Sequence, residues 1–350
     1  MTIIVTGGAG FIGSNFVLNW FSDTDEKLIN IDALTYAGNR SNLDIFDQDK
    51  RYTFIKTDIN SPEFYEELFY KFKVRAVINF AAESHVDRSI KSPDDFIKTN
   101  INGTYNLLEV SKKYWLSLSS QEKAKFRFLH VSTDEVYGSL HESESPFTEE
   151  NNYKPNSPYS ASKASSDHLV RAYNKTYKLP SLITNCSNNY GPFQYPEKLI
   201  PLVINNALRN LPITVYGDGK QIRDWLYVDD HCNAIKDVLN YGVPFEVFNI
   251  GGNNEMQNID IIRLICNRLD LLVKREDGMK YEQLIKYVND RPGHDKRYAI
   301  DSNKIQQACH WSPKETFETG ITKTVQWYLD NQTWVNQIYE KEKKESFLKK

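Results

Sequence analysis

The sequence predicts an α/β protein, a Rossmann-type doubly wound parallel sheet with a smaller C-terminal α/β substrate-binding domain. A glycine-rich turn stands at the chain start between a β-rich run and a helix. Strand-like and helix-like segments then alternate, as parallel sheets with crossover helices require. A buried strand pattern, Phe128 to Val131, ends in hydroxyl and carboxyl side chains, and a Tyr-x-x-x-Lys pair follows 26 residues after Thr133. That pairing places chemistry at the carboxyl edge of the predicted sheet.

Thr2 to Thr6 reads as the first strand, and Gly7-Gly8-Ala9-Gly10-Phe11-Ile12-Gly13 as the turn into a helix over Phe11 to Phe21. Glycines at this place permit a tight backbone and a close approach, and free N–H groups at a helix start attract a pyrophosphate. Lys27 to Ile31 is the next strand, ending in Asp32, nineteen residues beyond Gly13. A carboxylate there accepts hydrogen bonds from an adenosine ribose and repels a 2′-phosphate, which favours NAD over NADP.

Tyr52 to Lys56 is a third strand, leading to Asp58-Ile59; Glu63 to Phe72 is a helix, and Val74 to Phe80 a fourth strand. The loop Ala81 to Arg88 then lies where such sheets bind ligands, which makes Ser84 and His85 candidates for substrate contact. For His85, a satisfied loop histidine is an equal alternative. Asp94 to Tyr114 is a long helical stretch containing Thr99 and Asn100. With Tyr159 to Tyr177 it is expected to form a homodimer face.

The stretch Ser132-Thr133-Asp134-Glu135-Val136-Tyr137-Gly138 and the pair Tyr159/Lys163 carry the chemistry. Four residues apart on a helix, Tyr159 and Lys163 share a face, so the ammonium can stabilise the phenolate. A phenol needs about 4 kcal/mol of such stabilisation to act as a base near neutrality. The same spacing recurs at Tyr52/Lys56, Tyr216/Lys220 and Tyr339/Lys343. Only Tyr159 both follows a strand-end hydroxyl and opens a helix.

Ser181 to Cys186 is the last strand of the first part, followed by Ser187 to Pro192. Prolines then cluster at 192, 196, 201 and 212, and the domain boundary is placed near here. Residues 1–187 and about 221–250 are expected to form the NAD-binding domain. About 188–220 and 251–330 would form the smaller substrate-binding domain, with 331–350 a charged tail. Lys198, Arg223, Arg291 and His294 are cations near turn signals, suited to a diphosphate.

Composition narrows the class. A net charge of −3 with 25% charged residues offers no basic field for nucleic acid. Four scattered cysteines, without a Cys-x-x-Cys, indicate neither a metal site nor a disulfide framework. The N-terminus has no basic segment, its first Lys or Arg being Lys27, and no apolar run of about 18 residues crosses a bilayer. A cytoplasmic protein without membrane partners is expected.

Together, Thr6 to Ser14, Ala81 to Ser89, Thr133 to Gly138, Tyr159 to Lys163 and Arg223 to His231 resemble the extended short-chain dehydrogenase/reductase family, and within it the dTDP-glucose 4,6-dehydratases. The resemblance runs from residue 1 to about 330, and Thr133-Asp134-Glu135 is its most specific part. It implies a hydro-lyase of deoxysugar biosynthesis, with NAD as cofactor and dTDP-glucose as substrate. Tyr159 would take the C4 hydroxyl proton, Thr133 would hold that oxygen, and Lys163 would support the phenolate. Glu135 would remove the C5 proton, and Asp134, protonated, would release the C6 hydroxyl as water.

The resemblance further implies cofactor contacts at Gly7, Gly10, Phe11, Ile12 and Gly13, then at Asp32, Ala33, Leu34, Thr35, Asp58 and Ile59. It adds Phe80, Ala81, Ala82, Ser84, Thr99, Tyr159, Lys163 and Asn189. Substrate contacts would fall at Ser84, His85, Thr133, Asn188, Lys198 and Leu199. Others would be Thr214, Val215, Tyr216, Arg223, Asn258, Asp290, Arg291 and His294.

Three other readings stay open. A uridine nucleotide fits too, because the thymine methyl is worth only about 1–3 kcal/mol. A nucleotide-sugar 4-epimerase would share Thr133, Tyr159 and Lys163 but has no use for the two acids. A dinucleotide-sensing regulator without turnover would be expected to lose the tyrosine or the lysine, and both are present.

Overall fold

The computed structural model describes residues 1–290 and 295–348. Six strands expected from the sequence form: β1 (Thr2–Thr6), β2 (Lys27–Asp32), β3 (Tyr52–Lys56), β4 (Val74–Asn79), β5 (Arg127–Thr133) and β6 (Ser181–Cys186). After them come β7 (Asn188–Tyr190), β8 (Ile213–Tyr216), β9 (Ile222–Tyr227), β10 (Val247–Ile250), β11 (Glu255–Gln257) and β12 (Ile285–Val288). The seven-stranded sheet runs β10-β6-β5-β4-β1-β2-β3, and all of its neighbours pair in parallel. Strands β1, β5 and β6 are buried along nearly their whole length. Such continuous apolar runs mark a sheet covered on both faces.

Register brings the carboxyl ends together. Thr6 pairs with Ile31 and with Asn79, and Thr133 pairs with Cys186. The order reverses between β1 and β4, and the crevice outside the strand ends at that reversal is where such sheets take ligands.

Strand β9 divides the molecule. Its side chains alternate, so Leu226 joins the buried cluster under the large sheet, while Trp225 and Tyr227 join a second cluster with Ile200, Ile204 and Ile262. The strand itself pairs with β7 and β11 in a three-stranded sheet. The return to the first cluster therefore begins on this strand and continues with helix Val228–Tyr241, through Cys232, Ala234 and Val238. It also includes Ile305, Cys309 and Trp311, which the expected division assigned to the other unit. The expected charged tail is helix Gln332–Leu348, and its Val335 and Ile338 are buried. The lysines and glutamates that follow hide this apolar spacing from a composition reading.

The stretch expected as one helix from Asp94 to Tyr114 contains a π-type segment, Ile97–Gly103, before helix Thr104–Ser117. Asn100 explains the wider turn. Its side chain accepts from the Glu83 N–H at 2.8 Å and donates to the Glu83 carbonyl at 3.0 Å and to the Ser162 hydroxyl at 2.8 Å. Ser166 donates to the Asn100 carbonyl at 2.6 Å. A local π-turn at such a place is a frequent companion of function, and here it ties the loop after β4 to helix Pro158–Tyr177.

Candidate functional site

Gly7, in the left-handed region at φ 71°, opens the glycine turn. A Cβ on Gly7 would lie 2.6 Å from the Ala81 nitrogen, and one on Gly13 would lie 2.3 Å from the Gly7 carbonyl oxygen. Only glycine fits either place. Helix Phe11–Asp23 starts there with no side-chain cap, which leaves its first N–H groups facing the cavity. Asp32 is buried; its Oδ2 accepts from the Ala9 N–H at 2.9 Å and its Oδ1 from the Leu34 N–H at 2.7 Å. Burial raises its pKa, and those two bonds act against the rise. The carboxylate is thus fixed in place, with further lone pairs available to ribose hydroxyls.

A cavity of about 320 Å³ extends from this turn to β5. It is lined by every residue expected to touch the cofactor except Leu34, whose N–H serves Asp32 instead. The glycine cradle, the uncapped helix start and the anchored carboxylate fit a dinucleotide. Ser84, Thr133, Asn188 and Lys198 line the same cavity.

The catalytic turn follows from local sequence. Thr133 ends β5 and accepts from the Glu135 N–H at 3.3 Å, opening the 3-10 turn Asp134–Tyr137. Gly138, at φ 89°, closes it against the Lys154 carbonyl. Glu135 reaches the cavity, whereas Asp134 is turned inward and 2% exposed. Asp134 Oδ1 stands 3.3 Å from the Thr133 hydroxyl, and its Oδ2 has no hydrogen-bond partner. Burial, then the charges of Glu135 and Asp224, hold the Asp134 carboxyl well above the usual carboxylate range. Asp134 is thereby held toward its protonated form.

Ser157 and Ser160 form a capping box, and Pro158 takes the first turn of helix Pro158–Tyr177. That fixes Tyr159 and Lys163 on the buried face. The Thr133 hydroxyl faces the Tyr159 hydroxyl and favours its ionisation, but burial and then the Glu135 charge hold this phenol well above its ordinary value. Ionising it needs cationic charge at the site. Lys163 is buried and donates to the Val131 carbonyl at 2.8 Å, and burial pulls its pKa down.

Other expected substrate residues lie around this cavity without lining it. His85 has both ring nitrogens engaged: Nδ1 accepts from the Arg88 N–H at 3.4 Å, and Nε2 lies 3.3 Å from Glu197. It stands as the satisfied loop histidine of the two readings. Leu199 begins helix Leu199–Leu208 directly after Lys198, whose amine donates to the Ser84 carbonyl at 3.3 Å. Arg223 is buried on β9; it donates to the Ile222 carbonyl at 2.8 Å and the Asp295 carbonyl at 3.0 Å, and packs 4.5 Å from the Tyr298 ring centre. Its charge acts on Asp134.

Thr214, Val215 and Tyr216 lie on β8, paired with β12. Nearby, Asn258 donates its N–H to the Gln221 carbonyl, and Asp290 accepts from the Gln221 side chain. The turn through Gly217 and Gly219 packs against Asp290 and Val215. These residues form a second cluster, and none of them lines the cavity. Arg291 and His294 lie outside the described residues.

Several lining residues carry no local sequence signal. Tyr36, Gln194, Tyr195 and Cys186 line the cavity. The Arg88 guanidinium stacks 3.7 Å from the Tyr36 ring centre, and Tyr36 and Tyr195 meet edge to face. The position of Tyr36 in the loop that follows Asp32 was the one available hint. Among the described residues, no group of three His, Cys, Asp or Glu stands close enough to hold a metal ion, and no helix is long and apolar enough to cross a membrane.

Comparison with known proteins agrees with this geometry. The family model described as GDP-mannose 4,6 dehydratase matches residues 4–324. A dTDP-glucose 4,6-dehydratase of Escherichia coli is 55% identical over 348 residues, covering 97% of this chain and 96% of that one. The crystal structure of dTDP-glucose 4,6-dehydratase from Bacillus anthracis in complex with NAD superposes with a TM-score of 0.84 at 47% identity, covering 97% of this chain and 99% of that one. A Streptomyces venezuelae dTDP-glucose 4,6-dehydratase with NAD bound gives 0.87 at 41% identity, covering 97% and 100%. The chain belongs to the dTDP-glucose 4,6-dehydratase family, within the extended short-chain dehydrogenases/reductases.

Proposed function

We propose that the protein converts dTDP-glucose to dTDP-4-keto-6-deoxyglucose, with NAD held at the glycine turn, Asp32 and Lys163. The observation that carries this is the pair of acids beside the tyrosine: Glu135 lining the cavity and the buried Asp134, held toward its protonated form, against Thr133. NAD, when bound, supplies the acceptor for the C4 hydride and returns it at C6. Tyr159 takes the C4 hydroxyl proton while Thr133 holds the oxygen and Lys163 contributes positive charge. The C4 ketone acidifies the C5 proton, which Glu135 removes. Asp134 releases its proton to the departing C6 hydroxyl, which leaves as water, and as hydride arrives at C6 a proton returns to C5 from the Glu135 side. Arg223 and Lys198 contribute cationic charge for the diphosphate.

An epimerase needs no C5 base, so the acid pair favours dehydration. The interleaved assignment of a cofactor unit and a sugar-nucleotide unit belongs to the same proposal. So does a cytoplasmic homodimer, supported by four free buried cysteines and by half-exposed Ile97, Tyr105, Leu116 and Tyr177 on the two helical stretches. Light scattering at micromolar concentration should give twice the chain mass.

The test of the reaction is incubation with dTDP-glucose in D₂O without added NAD. Loss of one water, a new C6 methyl and deuterium at C5 are expected. Unchanged sugar, from protein shown to contain NAD, would overturn the reading.

A further inference from the structure

Helix Pro158–Tyr177 carries a third charged residue on the stripe of Tyr159 and Lys163. Asp167 lies one turn beyond Lys163 and is 2% exposed. No step of the proposed reaction uses it. Its Oδ2 accepts from the Ser132 hydroxyl at 2.9 Å, and the Tyr153 hydroxyl faces it. Its Oδ1 lies 3.5 Å from His130 Nε2, and that same nitrogen lies 3.5 Å from the Lys163 amine.

The imidazole orientation is set from the other side. Thr6 donates its hydroxyl to Asn79 Oδ1 at 2.6 Å, which leaves the Asn79 amide nitrogen facing His130 Nδ1 at 3.1 Å. Nδ1 therefore accepts, and the ring proton sits on Nε2, toward Asp167. Burial and the Lys163 charge keep this imidazole neutral. The Ser132 hydroxyl donates to Oδ2, while Oδ1 has no hydrogen-bond partner and faces the imidazole; the Lys163 charge and the hydroxyls act against the rise that burial causes.

A buried ammonium is tolerated only with a buried partner charge. Around Lys163, Asp134 is held toward its protonated form and Cys186 is a buried thiol pushed up to about 12 by burial. Among the surrounding charges, Asp167 most favours the ammonium form of Lys163. We propose that Asp167 is the counter-ion of Lys163, a positioning residue that keeps the buried ammonium charged and held toward Tyr159, with His130 as the neutral spacer between them. The inference rests on the reading of Tyr159 and Lys163 given above. Burial pushes the Asp167 carboxyl up to about 7, so loss of a donor to it is felt near neutral pH. The other titratable groups facing this network are Glu135 from the turn, Tyr137 and Tyr153.

The test measures the rate of bound-NAD reduction by dTDP-glucose in single turnovers across pH, for the wild type, Asp167→Asn, Tyr153→Phe and Tyr159→Phe. Removing the anion lowers the Lys163 pKa and, through the lost ammonium, raises that of Tyr159. The acidic limb of the Asp167→Asn profile should therefore move up by about one pH unit, a tenfold loss on that side, and the alkaline limb should move down. Tyr153→Phe, which removes a hydroxyl facing Asp167, should move both limbs the same way by less. It keeps the test informative if Asp167→Asn does not fold. A uniform loss of rate with both limbs unmoved, in whichever variant folds, would overturn the inference. If Tyr159→Phe itself kept the wild-type rate, the reading of the site would be at fault instead.

Discussion

The cofactor edge of the large sheet and the cluster around β8 and β12 differ in how they are assembled. At the sheet edge, each functional group lies within a few residues of a strand's carboxyl end: Gly7 after β1, Asp32 on β2, Ala81 after β4 and Thr133 on β5. Strand order alone then brings them together. The second cluster joins Val215, Gln221, Asn258 and Asp290 through backbone pairings and turns of long sequence separation. Chemistry that rides on strand ends is specified locally, whereas a recognition surface built between distant segments is specified by packing.

Substitutions on the two sides should separate along that line. Tyr159→Phe removes the phenol that faces Thr133 at the cavity and should lower kcat about 10²- to 10⁴-fold with little change in KM. A KM effect without a kcat effect would move Tyr159 out of the chemistry. Gly13→Ala forces a Cβ against the Gly7 carbonyl oxygen at 2.3 Å. At about 1–3 kcal/mol for overpacking, the Kd for NAD should rise about 10- to 100-fold, as read by cofactor retention.

Arg223→Lys, on the other side, loses the forked bonds to the Ile222 and Asp295 carbonyls and the stacking on Tyr298. An increase of about tenfold in KM for the sugar nucleotide is expected, with NAD affinity unchanged. Equal loss of both affinities would erase the distinction between the regions. The smallest effect concerns Asp134, whose buried carboxyl binds its proton more tightly in the folded chain than in the unfolded one. Stability is therefore lost as pH rises from the ordinary carboxylate range through the raised value. Asp134→Asn should raise Tm at pH 8 while leaving it nearly unchanged at pH 4, and an equal shift at both would contradict the assignment.

Most of the first region was legible in the sequence. Strands β1, β3 and β6 fall where the apolar runs begin and end, and Ser157-Pro158 marks the helix that bears Tyr159 and Lys163. The π-turn at Ile97–Gly103 was not legible, because Asn100 reaches its partners only across the fold. His130 and Asp167 escaped for the same reason: each sits in an ordinary strand or helix pattern, and they meet only when the helix lies on the sheet. Strand β9 was assigned to one unit because a six-residue run shows its alternation but not that two different cores receive the two faces.

The central claim is that one site oxidises, dehydrates and reduces the same sugar. Tracing the hydride tests it most directly. With dTDP-glucose deuterated at C4 in ordinary water, the deuterium should appear in the C6 methyl group of the product, with the bound NAD pool unchanged. Deuterium retained at C4, or washed out to solvent, would contradict the account.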